Sequence, residues 1–507
     1  MSGNPPSHHA SAASRAGGPG PWVPLPRHAR TVIVGGGLAG VELAAALAGH
    51  GAEDVLLLEA GPGEDLTHIH LTHPRGAATE VVFAPERDPH FHRPWRSDAP
   101  PHYTGISGLR RRLGGRSLYW HGVILPLEDW ALRTPAWPAE VVADLTTAAA
   151  GGPSWYDRVT ADLTAWSGGV LWDPAQPART PFGGREFRPL PRACRHLPGT
   201  GRWEAYTALA AWRGPGGRPA PPPGVRVRCD TDVLAVDVRD GRARGVLVRA
   251  ADGTAATVAA DTVVLCAGTV ESTRLAAHAL TEAGALRAPR LGGLADHIVQ
   301  GFVVRLPAGR LPAPGSYHLP ADPALRSYLR MDVYDEGHGE ALLDVRVTGE
   351  QLPNEDSVVE CRPSAGQPWR AHVRTELLPE DRKMIAGQRD LLRDFWAAAA
   401  RDAGLPAAPL EFTGFGDADR DNTRVLPDHT RGQATGRPET WASLLGTEDH
   451  EGGSLPLGRL LDARQAFPAL PGLYAAGPAV FPRLGAANPS LTTIALSRRL
   501  AALLAAG

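Results

Sequence analysis

The apolar positions of the chain fall into short runs punctuated by glycine. Thr31–Val34 (TVIV) is followed by Gly35-Gly36-Gly37, an apolar stretch at Val41–Ala48, and a second run at Asp54–Leu58 that stops at Glu59. Runs of four or five apolar residues bounded by glycine read as buried strands, and the longer stretch between them as a helix. Arg30–Leu58 therefore predicts one βαβ unit. Val225–Leu265 alternates apolar and polar residues and is broken at Asp240-Gly241 and Asp252-Gly253. Such dipeptides favour hairpin turns, so this stretch predicts a β-meander whose last strand, TVVLC, runs into Ala267-Gly268. From Leu291 to about Arg424 the runs FVVRLP, LLDVRV and SVVEC surround a helical pattern at Asp381–Ala400.

These patterns imply an α/β chain in which a Rossmann-like nucleotide-binding domain is interrupted by a β-sheet-based substrate domain. The first is expected at 28–290 and again at 441–507, the second at 291–440. Residues 65–100 are rich in His, Pro and aromatics and are expected as a loop or lid, with His90–Trp95 over the mouth of the site. Residues 136–224 carry Gly/Pro clusters such as GPGGRPAPPPG and are expected as loops around a few helices, Trp203–Trp212 among them. Residues 1–27, rich in Ser, Gly, Pro, Ala and His without an apolar core, read as a disordered tail rather than a secretory signal.

Composition narrows the chemistry. With 52 basic against 54 acidic residues the net charge is −2, which offers no footing for nucleic acid or an anionic membrane as the main partner. Lys383 is the only lysine, so a G-K-[ST] phosphate loop is excluded and Schiff-base chemistry would have to use that one side chain. Cys194, Cys229, Cys266 and Cys361 are far apart and form no CxxC, so neither a zinc site nor a disulfide framework is expected, and the setting reads as cytoplasmic. No apolar run approaches the roughly 18–20 residues that span a bilayer.

Gly35-x-Gly37-x-x-Gly40 follows a strand and opens a helix. The first glycine permits a tight turn, the second lets backbone approach a pyrophosphate, and the third allows close helix–strand packing. The helix start offers free N–H groups and partial positive charge to phosphates, with Leu38 and Ala39 in its first turn. Glu59, followed by Ala60, closes the second strand where a carboxylate can accept from ribose hydroxyls. The motif alone does not distinguish NAD from FAD.

Other segments bear on that choice. The chain contains one such fingerprint, a late strand ending in Ala267-Gly268, and LYAAG (Leu473–Gly477) leading to an apolar helix. Together with LGGRSLYW (Leu113–Trp120), LADH (Leu294–His297), HEGGSLPLG from His450 and AANPSLT around Asn488, these resemble the glucose-methanol-choline oxidoreductase family in order and spacing. SLYW and EQLPNEDS (Glu350–Ser357) look most like its pyranose-oxidase branch. The resemblance runs from about Arg30 to the C-terminus, and is thin in 65–100 and 136–224.

The resemblance implies FAD as cofactor, held by Gly35, Gly37, Leu38, Ala39, Gly40, Glu59, Ala60, Gly114, Gly115, Ser117, Tyr119, Trp120, Val233, Ala267, Gly268, Gly477, Pro478, Asn488, Pro489 and Thr492. It implies a catalytic pair, His450 and Asn488. An imidazole titrates near neutrality and can take the proton of an alcohol, while an amide donor can hydrogen-bond the oxygen as it gains alkoxide character. Pro489 is expected at the first position of the helix Ser490–Leu504, whose positive end would face the flavin. Some relatives carry a histidine linked covalently to FAD. Tyr119 stands at that position here, so FAD is expected to bind non-covalently unless His121 substitutes.

His121 is a candidate substrate contact. His68, His70, His73, His90 and His92 have metal-ligand spacing, but no Cys or carboxylate set completes a site and no metal is expected. The expected reaction is oxidation of a primary or secondary alcohol of a sugar, glycoside or polyol-like metabolite, with oxygen or another acceptor taking the electrons. A lyase on the same fold, or a nicotinamide dehydrogenase, are the competing expectations.

Overall fold

A computed structural model describes residues 24–73, 81, 87–97, 107–148, 152–212, 220–364, 367–412, 434–443, 445–446 and 448–507. The expected tail as far as residue 23, and parts of the expected 65–100 lid, lie outside the described residues.

The βαβ unit forms as its apolar pattern dictates. Strand His28–Val34 leads through the glycine turn into helix Leu38–Gly49 and on to strand Val55–Leu58, in which every residue is buried. Val55–Leu58 lies beside His28–Val34 on one side and Ala255–Leu265 lies on the other, both parallel to it. Val225–Arg228 and Leu473–Ala475 extend the parallel set at its two sides. Strands covered on both faces read as continuous apolar runs, which is why TVIV, VLLL and TVVL were legible. Helices Leu38–Gly49 and Ser490–Ala505, from opposite ends of the chain, pack against each other.

The stretch 225–265 departs from a single meander. Val225–Arg228 pairs parallel with Val55–Leu58, and only Thr231–Arg239, Arg242–Ala250 and Ala255–Leu265 form antiparallel neighbours. The turn residues Asp240 and Gly241 have φ of 50° and 67°, the left-handed values that a tight hairpin needs. Ala255–Leu265 serves both parts of the sheet. Its first half pairs with the meander, and its second half lies between parallel strands.

A second sheet has seven strands in the order Glu439–Ser443, His297–Pro307, Glu340–Glu350, Ser327–Gly337, Gly315–Asp322, Arg185–Pro189 and Thr180–Phe182. Helix Pro379–Asp402 covers it, packing Leu392, Phe395 and Trp396 against Phe302, Val304 and Val345. Two expectations change here. Residues 180–189, expected as loop, supply the last two strands of this sheet, with Thr180–Phe182 at its edge, and Glu439–Ser443 still belongs to it, so the return to the first unit follows Ser443 rather than beginning at Trp441. The run SVVEC joins a separate four-stranded sheet with Arg290–Leu291, Gln367–Arg374 and Arg96–Ser97.

The expected helix Trp203–Trp212 is instead the end of a hairpin strand, Arg202–Ala205, followed by a 3-10 turn at Ala208–Trp212. Tertiary pairing with Cys194–Leu197 overrides the helical pattern of the isolated segment. The segment does contain helices, at Ala139–Thr146 and Trp155–Trp166. Among the described residues no helix is long and apolar enough to cross a membrane, and the four cysteines are free and buried.

The glycine turn carries a stability prediction. A Cβ on Gly40 would lie 2.0 Å from the Gly35 carbonyl oxygen, so Gly40→Ala must push the helix off the sheet. Overpacking of this kind costs about 1–3 kcal/mol. Thermal unfolding should show a lowered midpoint, and an unchanged midpoint would contradict the packing.

Candidate functional site

A cavity of about 580 Å3 lies between the carboxyl edge of the parallel sheet and the face of the second sheet. Its nucleotide end is shaped by glycine. Gly35 has φ 103°, and a Cβ there would lie 2.6 Å from the Cys266 carbonyl oxygen. A Cβ on Gly37 would meet nothing within 4 Å, so this residue faces open space. Gly37 caps the helix without a side-chain hydrogen bond, leaving the first-turn N–H groups available to an anion. Gly35, Gly37, Leu38 and Ala39 line the cavity. Gly40 does not. It packs against Gly35, the role its place in the motif assigns.

Glu59 and Ala60 line the same end. The Glu59 carboxylate accepts from Gly36 N–H at 2.9 Å and Gly61 N–H at 2.8 Å. Burial nevertheless pushes its pKa up to about 7, against the pull of those donors and of Arg111. Arg111 donates to the Ala60 carbonyl at 3.1 Å and to Asp232 at 2.7 Å, tying the strand end to the segment that carries Val233. Val233, Ala267, Gly268, Gly115, Ser117, Tyr119 and Trp120 line the cavity wall, as do Gly477 and Pro478. Gly114 lies behind it, its N–H donating to the Gly36 carbonyl at 2.7 Å. An open glycine cradle, an uncapped helix start and a terminal carboxylate fit an adenine dinucleotide. The same cavity runs on from Glu59 to His450, both of which line it.

His450 and Asn488 meet at the far end. Asn488 Nδ2 lies 3.3 Å from His450 Nε2, and His450 Nδ1 lies 3.0 Å from Nδ1 of His297. His297 Nε2 is 3.1 Å from the Gly485 carbonyl oxygen. That oxygen can only accept, so His297 carries its proton on Nε2 and offers a lone pair at Nδ1. His450 must then be protonated on Nδ1, which leaves Nε2 as a lone pair facing Asn488 and the cavity. The Asn488 amide is oriented by the same logic, with Nδ2 donating to His450 and Oδ1 accepting from Tyr328 Oη at 2.9 Å. Burial pulls the His297 pKa down to about 4. Burial, with repulsion from His297 and Arg116, holds that of His450 well below the usual histidine range. The pair is thus a neutral relay ending in a base.

Arg116 holds the loop that bears His450. Its guanidinium lies 3.0 Å from Asp449 and 2.7 Å from Glu451, and donates to the Gly108 carbonyl at 2.7 Å. The Gly485 loop is held from the other side. Buried Glu350 accepts from Gly485 N–H at 3.0 Å and from Arg483 Nε at 3.0 Å, and also pairs with Arg483 Nη2.

His121 faces the cavity, while the rest of its ring is crowded by His70 at 5.2 Å and Trp203 at 5.9 Å. His70 stacks on Trp203 at 4.0 Å, and His68 on His70 at 5.5 Å, so these histidines form an aromatic wall behind His121. His92 lines the cavity separately, with Arg93 and Pro94. Among the described residues no three His, Cys, Asp or Glu side chains converge on a metal position.

Two residues of the terminal helix are corrected. Thr492 faces away from the cavity and bonds Tyr156 Oη at 2.8 Å, whereas Ser490 and Thr493 line it. One residue turns a helix by about 100°. Pro489 lines the cavity as the helix cap rather than its first residue.

No family model and no curated protein sequence matches the chain. Solved structures do. Pyridoxine 4-oxidase from Mesorbium loti is similar at 17% identity and TM-score 0.59, over 94% of this chain and 99% of that one. Formate oxidase from Aspergillus oryzae RIB40, in a variant studied for FAD modification, is similar at 16% identity and TM-score 0.63, over 96% of this chain and 99% of that one. A further structure of formate oxidase is similar at 14% identity and TM-score 0.60, over the same shares. The fold is that of the glucose-methanol-choline oxidoreductases.

Within this glucose-methanol-choline fold, sequence reading gave no role to His297, Arg116 or Tyr328. The first two stand inside segments already singled out, LADH and LGGRSLYW, so their motifs were visible while their contacts were not. Tyr328 carries no local signal, because it reaches Asn488 from 160 residues away.

Replacing Glu350 by Ala leaves Arg483 and Gly485 N–H without their carboxylate. Breaking a buried pair costs about 3–5 kcal/mol. The variant should unfold at clearly lower temperature or denaturant concentration, and unchanged stability would show that the Gly485 loop is held by something else.

Proposed function

We propose that the protein is an FAD-dependent oxidoreductase that oxidises the CH–OH group of a small alcohol, with His450 as general base. The observation that carries this reading is the relay from Gly485 through His297 to His450, which leaves an unprotonated Nε2 beside the Asn488 amide. The glycine cradle, Glu59 and the wall from Gly115 to Trp120 support FAD as the resident group. Tyr119, where some relatives carry a linking histidine, supports non-covalent binding. Bound FAD would supply the hydride acceptor at flavin N5.

The chain's own residues handle the hydroxyl. A substrate oxygen seated on the cavity side against both groups would take the place of their 3.3 Å contact, accepting from Asn488 Nδ2 while its proton faces His450 Nε2. As that proton transfers, the Nδ1–H of His450 becomes a charge-assisted donor to His297, which strengthens the bond just when positive charge develops. His121 stands where it can touch substrate. The substrate class is a sugar, glycoside or polyol-like metabolite. The names of the neighbouring oxidases favour oxygen as acceptor, with a dehydrogenase using another acceptor as the variant of this reading.

His450→Ala should retain FAD yet slow anaerobic flavin reduction by about 10²–10⁴-fold. Reduction at an undiminished rate would sink the assignment. The pH profile checks the relay independently. His450 acts when neutral, and its depressed pKa keeps it neutral as pH falls through 6.5. The reduction rate should therefore hold through that range and fall only at lower pH. An acid limb at 6.5 or above, in stopped-flow reduction, would contradict the buried neutral pair.

A further inference from the structure

The wall opposite the nucleotide end is built by two antiparallel strands, Ser327–Gly337 and Glu340–Glu350. Their register opposes Tyr328 to Thr348, Arg330 to Arg346 and Asp332 to Asp344. Residues two apart on a strand share a face, so the three pairs form successive rows on one surface. The first row touches the catalytic pair through Tyr328 and Asn488. The second row, Arg330 and Arg346, lines the cavity. The third row lies behind it, with Asp332 fully buried and Asp344 4% exposed.

Each arginine is held by the aspartate behind it. Arg330 Nε and Nη2 donate to Asp332 at 2.7 and 3.0 Å, and Asp332 also accepts from Ser316 Oγ at 2.5 Å. Arg346 Nη2 donates to Asp344, and its guanidinium lies 5.4 Å from the centre of the Trp441 ring. A guanidinium has five N–H donors and no acceptor, so each pair leaves donors over. Arg346 Nε is buried without a partner. Glu448, a carboxylate on this side of the cavity, accepts from Ser443 Oγ at 2.9 Å and acts on Arg346 through its charge. A set of charges serving only to join two strands would satisfy its own donors. This one leaves donors at the cavity wall, oriented by carboxylates that do not reach it.

We propose that Arg330 and Arg346 bind an oxyanion, a carboxylate or a phosphate, carried by the alcohol substrate. The arginine row is one two-residue step along the strand from the Tyr328 row, about 7 Å. The anionic group therefore sits several bonds from the carbinol carbon, as in a sugar acid or a sugar phosphate. This rests on the alcohol-oxidising reading above. The oxyanion takes no part in the chemistry: it anchors the far end of the substrate and sets which hydroxyl reaches His450.

The test is anaerobic flavin reduction by the holoenzyme with matched sugars: glucose, glucuronate and glucose 6-phosphate. At least one anionic sugar should exceed glucose in kcat/KM by about tenfold or more, the usual worth of charge-assisted hydrogen bonds. The better of the two identifies carboxylate or phosphate. In Arg346→Gln the ratio of anionic to neutral kcat/KM should collapse toward one, mainly through KM. Arg346→Gln/Asp344→Asn removes both charges at once and keeps the test valid if the single variant folds poorly. Glucose reduced as well as both anions, with a ratio that neither variant moves, overturns the proposal. If no sugar reduces the flavin, the alcohol reading fails for these sugars, and titration decides the anion site separately. Perturbation of the flavin spectrum by glucuronate or glucose 6-phosphate in the wild type, lost in Arg346→Gln, keeps the site, and no perturbation removes it.

Discussion

The Gly485 carbonyl oxygen decides the state of the whole His450–Asn488 end of the cavity. Because it can only accept, it fixes the proton of His297 at Nε2, which fixes the proton of His450 at Nδ1 and leaves Nε2 as the base. A single histidine in a loop would sample both tautomers, and the part protonated on Nε2 would present a proton where a lone pair is needed. Two histidines ending on a backbone carbonyl remove that freedom without using a charge. A carboxylate in place of His297 would also orient His450, but would raise its pKa and favour the protonated, inactive form in a buried setting. The neutral relay keeps the base deprotonated, at the cost of basicity. That cost is offset once a proton arrives and the Nδ1–H bond to His297 becomes charge-assisted.

This arrangement needs the two sheets together. His450 and Asn488 arrive on loops that follow the second sheet and the last parallel strand, whereas His297 opens a strand of the second sheet and Tyr328 lies within another. Glu350, at the end of the strand paired with His297, reaches across to Arg483 and Gly485. The same strand pair that orients Asn488 also carries the two arginines, so the proposed oxyanion site and the proposed proton relay share one surface. Sites built on strands hold side chains more closely than sites on loops.

How much of this was legible in sequence follows from how local each signal is. The glycine turn, the buried parallel strands and the Asp-Gly hairpin announce themselves within a few residues, since backbone conformation and burial on both faces constrain local composition. His450 and Asn488 were legible through their surrounding motifs. The partners that give them their states were not. His297 stood in a recognised segment, but no spacing could reveal that its Nδ1 meets another imidazole. The misreadings have the same origin. Trp203 looked helical until strand pairing and its stack on His70 were in view, and Thr492 was assigned by motif although the helix turns it toward Tyr156. Residues 180–189 carried no sign of the sheet they join, because strands of three and five residues bury too little to impose a pattern.

The scarcity of lysine has a structural counterpart. Arg116 meets two carboxylates and a carbonyl at once, Arg483 grips Glu350 with two nitrogens, and Arg330 grips Asp332 in the same way. An ammonium would supply the charge but not the fork, and its flexible stem would let the donors wander. Lysine in place of Arg330 could satisfy Asp332 or face the cavity, but it could not hold both directions in one plane. The orientation of the cavity-facing donors is therefore a property of the guanidinium rather than of positive charge. A substrate recognised there is selected by the geometry of its acceptor oxygens as well as by its charge.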